Sequence, residues 1–279
     1  MVWPLEPFEL SFMQRAGLEI LLLAPLAGFV GAQIVLRRLA FFTHAVGTAT
    51  FPGLVVAGPA GISPALAALA VGGVFATGLE RLERVRGLGR EAATALLLVA
   101  ALGIGIVLAS DVFASGAGVD RLLFGSLLAI GNEELFATAI ALVVSLGAVW
   151  IWRRTWVASG FDPGTSAALG LRGRSADWAL VAVIAIAVIA AVDAVGALLV
   201  SAILVVPAAT VRLVAPSVVS LELGATALAL AEGLVGLLLA FELDVPPGAA
   251  IAVLSGSGFA LAAGVVAVLG RSAGEAGDA

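Results

Sequence analysis

The sequence predicts an all-α fold: a polytopic transmembrane helix bundle of eight to nine spans. Three observations predict it. Hydrophobic residues make up 62% of the 279 residues and charged residues 12%, against about 25% charged in an ordinary soluble domain. The mean hydropathy is +1.17. The charges that exist fall between long apolar blocks, and the length has room for about eight or nine spans of about 20 residues, leaving little for a soluble domain. Residues 1–279 therefore read as one transmembrane domain. Catalysis in water is not its main task. The net charge of −5 says little about nucleic acid, because the few basic residues report topology instead. With no cysteine, disulfides and thiolate metal ligands are excluded. The opening MVWPLEPFEL carries Glu6 and Glu9 rather than lysines and does not resemble a cleavable signal peptide.

Nine apolar blocks follow in order. The first, about Leu18 to Leu36, stops at Arg37 and Arg38. The second, about Phe41 to Ala57, turns through Gly58, Pro59, Ala60 and Gly61 into the third, about Ile62 to Leu79. That block ends in ERLERVRGLGRE, the strongest basic cluster. The fourth, about Ala92 to Ala109, leads to Asp111. In the mixed stretch Ser110 to Glu134 the run LLFGSLLAI is too short to span, so it reads as re-entrant or interfacial. The fifth block, about Leu135 to Trp152, stops at Arg153 and Arg154, where Trp150, Trp152 and Trp156 suggest an aromatic belt. The sixth (about Trp178 to Val195) and seventh (about Ala197 to Val211) are split only by Gly196. The eighth, about Val218 to Phe241, ends at Glu242 and Asp244, and the ninth, about Gly248 to Leu269, at Arg271.

If each block crosses once, Arg37, Arg38, Arg81 to Arg90, Arg153 to Arg174, Arg212 and Arg271 share one side. Asp111, Asp120, Glu133, Glu134, Glu242 and Asp244 share the other. Arg121 sits against the pattern. Positive charge stays on the cytoplasmic side, so the N-terminus is outside and the C-terminus inside.

The second block holds His44, the only histidine in the chain. An ionisable group inside a span is costly, so His44 reads either as a path-lining ligand or as a structural residue hydrogen-bonded within the bundle. His44 and Thr48 are one helical turn apart, with Gly47 leaving room beside them. Pro52 and Gly53 weaken the helix next to them, and Pro207 is expected to interrupt a later one, which is tolerable where protein or a cavity satisfies the freed backbone groups. Asp193 and Glu232 are further carboxylates inside or near the ends of apolar blocks, each a candidate to join His44; the alternatives are an interfacial Asp193 beside the Gly196 break and a Glu232 hydrogen-bonded between helices, while Glu222, nearer a block end, is expected to snorkel to water.

The loop Arg153 to Asp177 contains FDPGTSAALGLRGR. Asp162 suits an N-cap, Pro163 the first helical position and Gly170 the end of the helix. A helix of about two turns from Pro163 to Leu169 is expected, outside the membrane, of the kind that docks a soluble partner.

The stretches VLRRLAFF, DRLLFGSLLAI, FDPGTSAALGL, VGALLVSAILVVPAATVRL and LDVPPGAAIAVL together resemble the membrane permease subunits of ABC importers for zinc, manganese and related metals. The most specific are Pro207, Ala208, Ala209 and Thr210, then Pro246, Pro247 and Gly248. The resemblance implies a homodimeric permease in a type II importer-like arrangement, with eight helices per subunit, in the cytoplasmic membrane. It makes Asp162, Pro163, Ala168, Leu169 and Gly170 the coupling helix, seated on a cytoplasmic ATPase. The chain has no GxxxxGK[ST] motif, so ATP is expected on that separate subunit. An extracytoplasmic metal-binding protein would deliver the ion, and no cofactor is held permanently. The family pattern, like GDALSHAVLPG, has Asp and then His four residues later. Aligned on Pro52 and Gly53, this chain has His44 and Thr48 there, without the negative charge. The residues by themselves leave open a metal chelate or other small substrate, a secondary transporter or channel, and a membrane scaffold.

Overall fold

The computed structural model describes residues 6–85, 87–112, 123–162, 164, 166, 173–197 and 199–277. After a short 3-10 turn at Glu6–Glu9 come α1 (Ser11–Leu36), α2 (Ala40–Ala49), α3 (Phe51–Ala60), α4 (Pro64–Glu83) and α5 (Arg90–Val107), the last running into a π turn at Leu108–Val112. A 3-10 turn at Leu127–Ala129 precedes α6 (Asn132–Phe161), α7 (Arg174–Val195), α8 (Val200–Arg212), α9 (Val218–Leu243) and α10 (Pro247–Gly277). There is no strand among the described residues.

Among the described residues eight helices are long and apolar enough to cross a membrane, with α2 and α3 together forming one of them, Ala40–Ala60. Eight of the nine apolar blocks are therefore candidate spans. The seventh is α8, which has 13 residues and so measures about 20 Å, short of a hydrocarbon core of about 30 Å. It nevertheless returns to the arginine-rich end, where Val211 packs beside Leu36 and Leu221. The alternation of ends read from the arginines therefore survives, although Arg15 near the start of α1 joins Arg121 as an exception.

The spans form an inner and an outer set. α1 packs on α6, α8 and α9, and its most apolar window is 67% buried, that of Ala40–Ala60 78%. The corresponding windows of α4, α5, α6 and α10 are 28%, 22%, 28% and 11% buried, which leaves their leucines and valines for lipid or another chain. Some polar atoms of the inner set are matched across helices: Thr138 Oγ1 donates to Glu19 Oε1 at 2.7 Å between α6 and α1.

Glycine permits the tightest crossings. A Cβ on Gly31 of α1 would run into the Leu204 carbonyl oxygen of α8, and one on Gly28 would lie 2.6 Å from the Glu222 carbonyl oxygen of α9. A second crossing joins three distant stretches. Gly125 and Gly196, with φ of 76° and 86°, meet backbone to backbone, and a Cβ on Gly248 would lie 2.6 Å from the Val195 carbonyl and 2.9 Å from that of Phe124. The run LLFGSLLAI is not a span in its described part, Leu123 to Ile130. Leu127 and Ile130 are buried, and the segment packs on α1, α7 and α10.

Three further expectations are corrected. Pro207 lies inside α8, which runs through it from Val200 to Arg212; burial among neighbouring helices tolerates the missing hydrogen bond. Trp150 is exposed, as a belt residue would be, but Trp156 is fully buried and its Nε1 donates to the Ala176 carbonyl at 2.8 Å. It fastens the end of α6 to the start of α7. Glu222 does not reach water: it is 1% exposed and paired with Arg153 at 2.5 Å.

Gly31→Val is expected to destabilise the detergent-solubilised protein by about 1–3 kcal/mol, the usual cost of overpacking. Gly256→Val, at a site where an added Cβ would meet no heavy atom within 4 Å, is expected to change thermal unfolding by less than about 0.5 kcal/mol.

Candidate functional site

His44 lies one turn into α2 and is half-buried. Its Nδ1 sits 3.3 Å from Ser201 Oγ, on the second residue of α8. The short α8 makes this contact possible, because the chain reverses at Gly196 and begins a new helix beside α2. Gly47 sets the spacing: a Cβ there would lie 2.5 Å from Val200 Cγ1 and 3.2 Å from the Ala197 carbonyl oxygen. An imidazole and a hydroxyl from two helices thus face each other among alanines and valines.

Thr48 shares the helix with His44, but its hydroxyl donates to the His44 carbonyl at 3.1 Å. Its oxygen lone pairs remain to accept or to ligate. Thr50 donates to the Gly47 carbonyl at 2.6 Å, and the span is interrupted there, between Ala49 and Phe51. Pro52 occupies the first turn of α3, where a missing N–H costs least. Gly53 lets α3 cross α4 closely, since a Cβ would lie 2.7 Å from the Ala67 carbonyl oxygen. The interruption expected from Pro52 and Gly53 is therefore present, two residues ahead of the proline.

Glu232 is buried on α9 and accepts from Ser255 Oγ of α10 at 2.6 Å. α8 stands between the helices carrying Glu232 and His44, packing on both α9 and α2. Asp193 belongs to the last turn of α7, and its side chain lies outside the described residues. Among the described residues no three His, Asp or Glu side chains are close enough to hold a metal ion together. What the arrangement offers a passing cation is an imidazole, hydroxyls and backbone carbonyls near a helix break. Such a set handles an ion without closing the four-ligand shell that retains it.

Asp162 caps as expected. Its Oδ1 accepts from the Gly164 N–H at 3.0 Å, and Ser166 N donates to the Asp162 carbonyl at 3.0 Å. Pro163, Ala168, Leu169 and Gly170 lie outside the described residues.

Sequence reading missed two features. Glu19 lies within the first block and is 1% exposed; a carboxylate inside a span was the signal. Arg37 reads in the sequence as a topology marker, yet Nη1 pairs with Asp177 at 2.9 Å and Nη2 donates to Ser159. Nothing local announces partners more than a hundred residues away.

The sequence profile described as the ABC 3 transport family matches residues 9–266. The chain is 28% identical over 253 residues to the manganese transport system membrane protein MntC of Halalkalibacterium halodurans, covering 90% of this chain and 86% of that one. It is 25% identical over 247 residues to the manganese import system permease protein ScaB of Streptococcus parasanguinis, covering 88% of each. The solved structure of PsaBC from Streptococcus pneumoniae in complex with Fab superposes with a TM-score of 0.84 at 24% identity, covering 91% of this chain and 92% of that chain. The last likeness is one of fold.

Arg153→Leu strands the buried Glu222 carboxylate and is expected to cost about 3 kcal/mol, the low end for breaking a buried pair, since Arg153 keeps 38% side-chain exposure. The double variant Arg153→Leu/Glu222→Leu is expected to recover most of that loss in thermal unfolding.

Proposed function

The chain belongs to the ABC 3 transport family, and on that footing we propose that it is the permease subunit of an importer for a divalent first-row metal ion. It is a multi-pass membrane protein with eight candidate spans. Manganese is the cargo named for its relatives MntC and ScaB. A single imidazole suits zinc and iron better than manganese.

The observation that carries the reading is the His44 to Ser201 contact at 3.3 Å, between an interrupted span and a helix too short to cross. The buried pairs Glu19 to Thr138 and Glu232 to Ser255 lie elsewhere in the bundle, and the core surrounding this contact is largely alanine, valine, isoleucine and leucine. A polar pair there has a structural cost, and a step for a partly dehydrated cation would account for it. Two copies of the chain would place two such sites about one pathway. ATP hydrolysis would belong to a separate cytoplasmic subunit docked on the connection from Asp162 to Gly170, and an extracytoplasmic binding protein would supply the ion.

His44→Ala is expected to lower manganese uptake by about tenfold or more, the cost of removing one well-placed interaction, while the ATPase subunit still co-purifies. Uptake of manganese, zinc and iron into cells expressing each form measures it. Unchanged uptake of all three metals would remove His44 from the path.

A further inference from the structure

Both feet of the α6–α7 connection rest on one arginine. Arg37 follows the last residue of α1, and its side chain is 14% exposed. Nη1 holds Asp177 Oδ1 at 2.9 Å in the first turn of α7. Nη2 donates to Ser159 Oγ in the last turn of α6. A guanidinium is the side chain suited to this, because its planar fork presents donors in two directions at once, whereas an ammonium is a point charge. The feet are also tied to each other, since Trp156 Nε1 donates to the Ala176 carbonyl at 2.8 Å. Asp162 and Gly173, at the two ends of the connection, therefore adjoin a closed base of three helices.

That base is stiffly joined to the helix bearing His44. Arg38 adopts φ 57°, and the corner is closed by Arg38 N to the Val35 carbonyl at 3.2 Å and Leu39 N to the Ile34 carbonyl at 2.8 Å. α2 starts immediately afterwards at Ala40, one turn before His44. Beside the clamp is a cavity of about 520 Å³, lined by Arg37, Arg38, Arg90, Ser159, Phe161 and Asp177. It gives the side chains room to move as a group.

We propose that Arg37 is a positioning residue that carries displacement of the α6–α7 connection into α2, and so to His44. The inference rests on the permease reading above. A purely structural Arg37 would affect folding and assembly. A transmitting Arg37 changes how much ion moves for each ATP hydrolysed.

The test uses the permease with its ATPase subunits in proteoliposomes, with ATP hydrolysis and radioactive manganese uptake read from the same vesicles. Arg37→Gln is expected to hydrolyse ATP within about twofold of the unmodified complex and to move about tenfold less manganese per ATP. Ser159→Ala removes only one hydroxyl and is expected to lower that ratio by about twofold to threefold with unchanged assembly, which keeps the test open if Arg37→Gln folds poorly. The charge-reversed pair Arg37→Asp/Asp177→Arg is expected to recover at least about half of the ratio lost in Arg37→Asp. An unchanged ratio in Arg37→Gln or Ser159→Ala, or no recovery in the reversed pair, overturns the proposal while leaving the permease reading intact. An unmodified chain that recruits no ATPase, or moves no manganese with one, overturns both.

Discussion

Gly196 holds φ 86° and ψ 156°, a backbone conformation that a side chain rarely tolerates, and the arrangement of the inner bundle depends on it. Because the chain reverses there, α7 ends in step with the membrane and α8 turns back as a half-length helix. The reversal is held from two sides, by Gly125 and by the start of α10 at Gly248. A Cβ at any of the three would intrude on another segment's backbone. The consequences run downward from the crossing: Val200 is set against Gly47, Ser201 comes level with His44, and Leu204 fits against Gly31.

A second constraint is the absence of water. A polar side chain of the inner set costs least where it finds a match inside the bundle, and most of the described ones do, fully buried Gln33 on α1 excepted. Thr48, Thr43 and Thr210 do so within their own helices, donating to the carbonyl four residues back. Glu232, Glu222 and Glu19 do so across helices, through Ser255, Arg153 and Thr138. The first group leaves helices independent; the second group locks particular pairs together. His44 belongs with the second, but its contact is longer, 3.3 Å, and its partner Ser201 is itself half-buried, so the lock there is weaker.

Most of the fold was legible from hydropathy, because a block of about twenty apolar residues has few alternatives to a spanning helix. The alternation of ends was legible from arginines. The seventh block shows the limit, since Ala197 to Val211 is as apolar as its neighbours and only its length after Gly196 distinguishes a return helix from a crossing. The interruption near Pro52 and the cap at Asp162 were readable because proline chemistry and capping are local. The partners of Arg37, Glu19 and Glu222 were not, since each lies 69 or more residues away and depends on which faces meet. Trp156 misled for the same reason: beside two other tryptophans near Arg153 it looks interfacial, and only the approach of Ala176 makes it a buried fastener.

The order of burial along the chain bears on how the protein is made. The first two spans end up the most enclosed, yet they leave the ribosome before the helices that enclose them. Thr138, whose hydroxyl meets Glu19, is 119 residues downstream, which at about 5–20 residues per second is roughly 6–24 s of synthesis. During that interval a carboxyl group and an imidazole have to be tolerated in nascent helices with their eventual neighbours still untranslated. Until α6 to α9 arrive, the apolar residues of the first two spans have to offset the cost of an unmatched carboxyl group and imidazole.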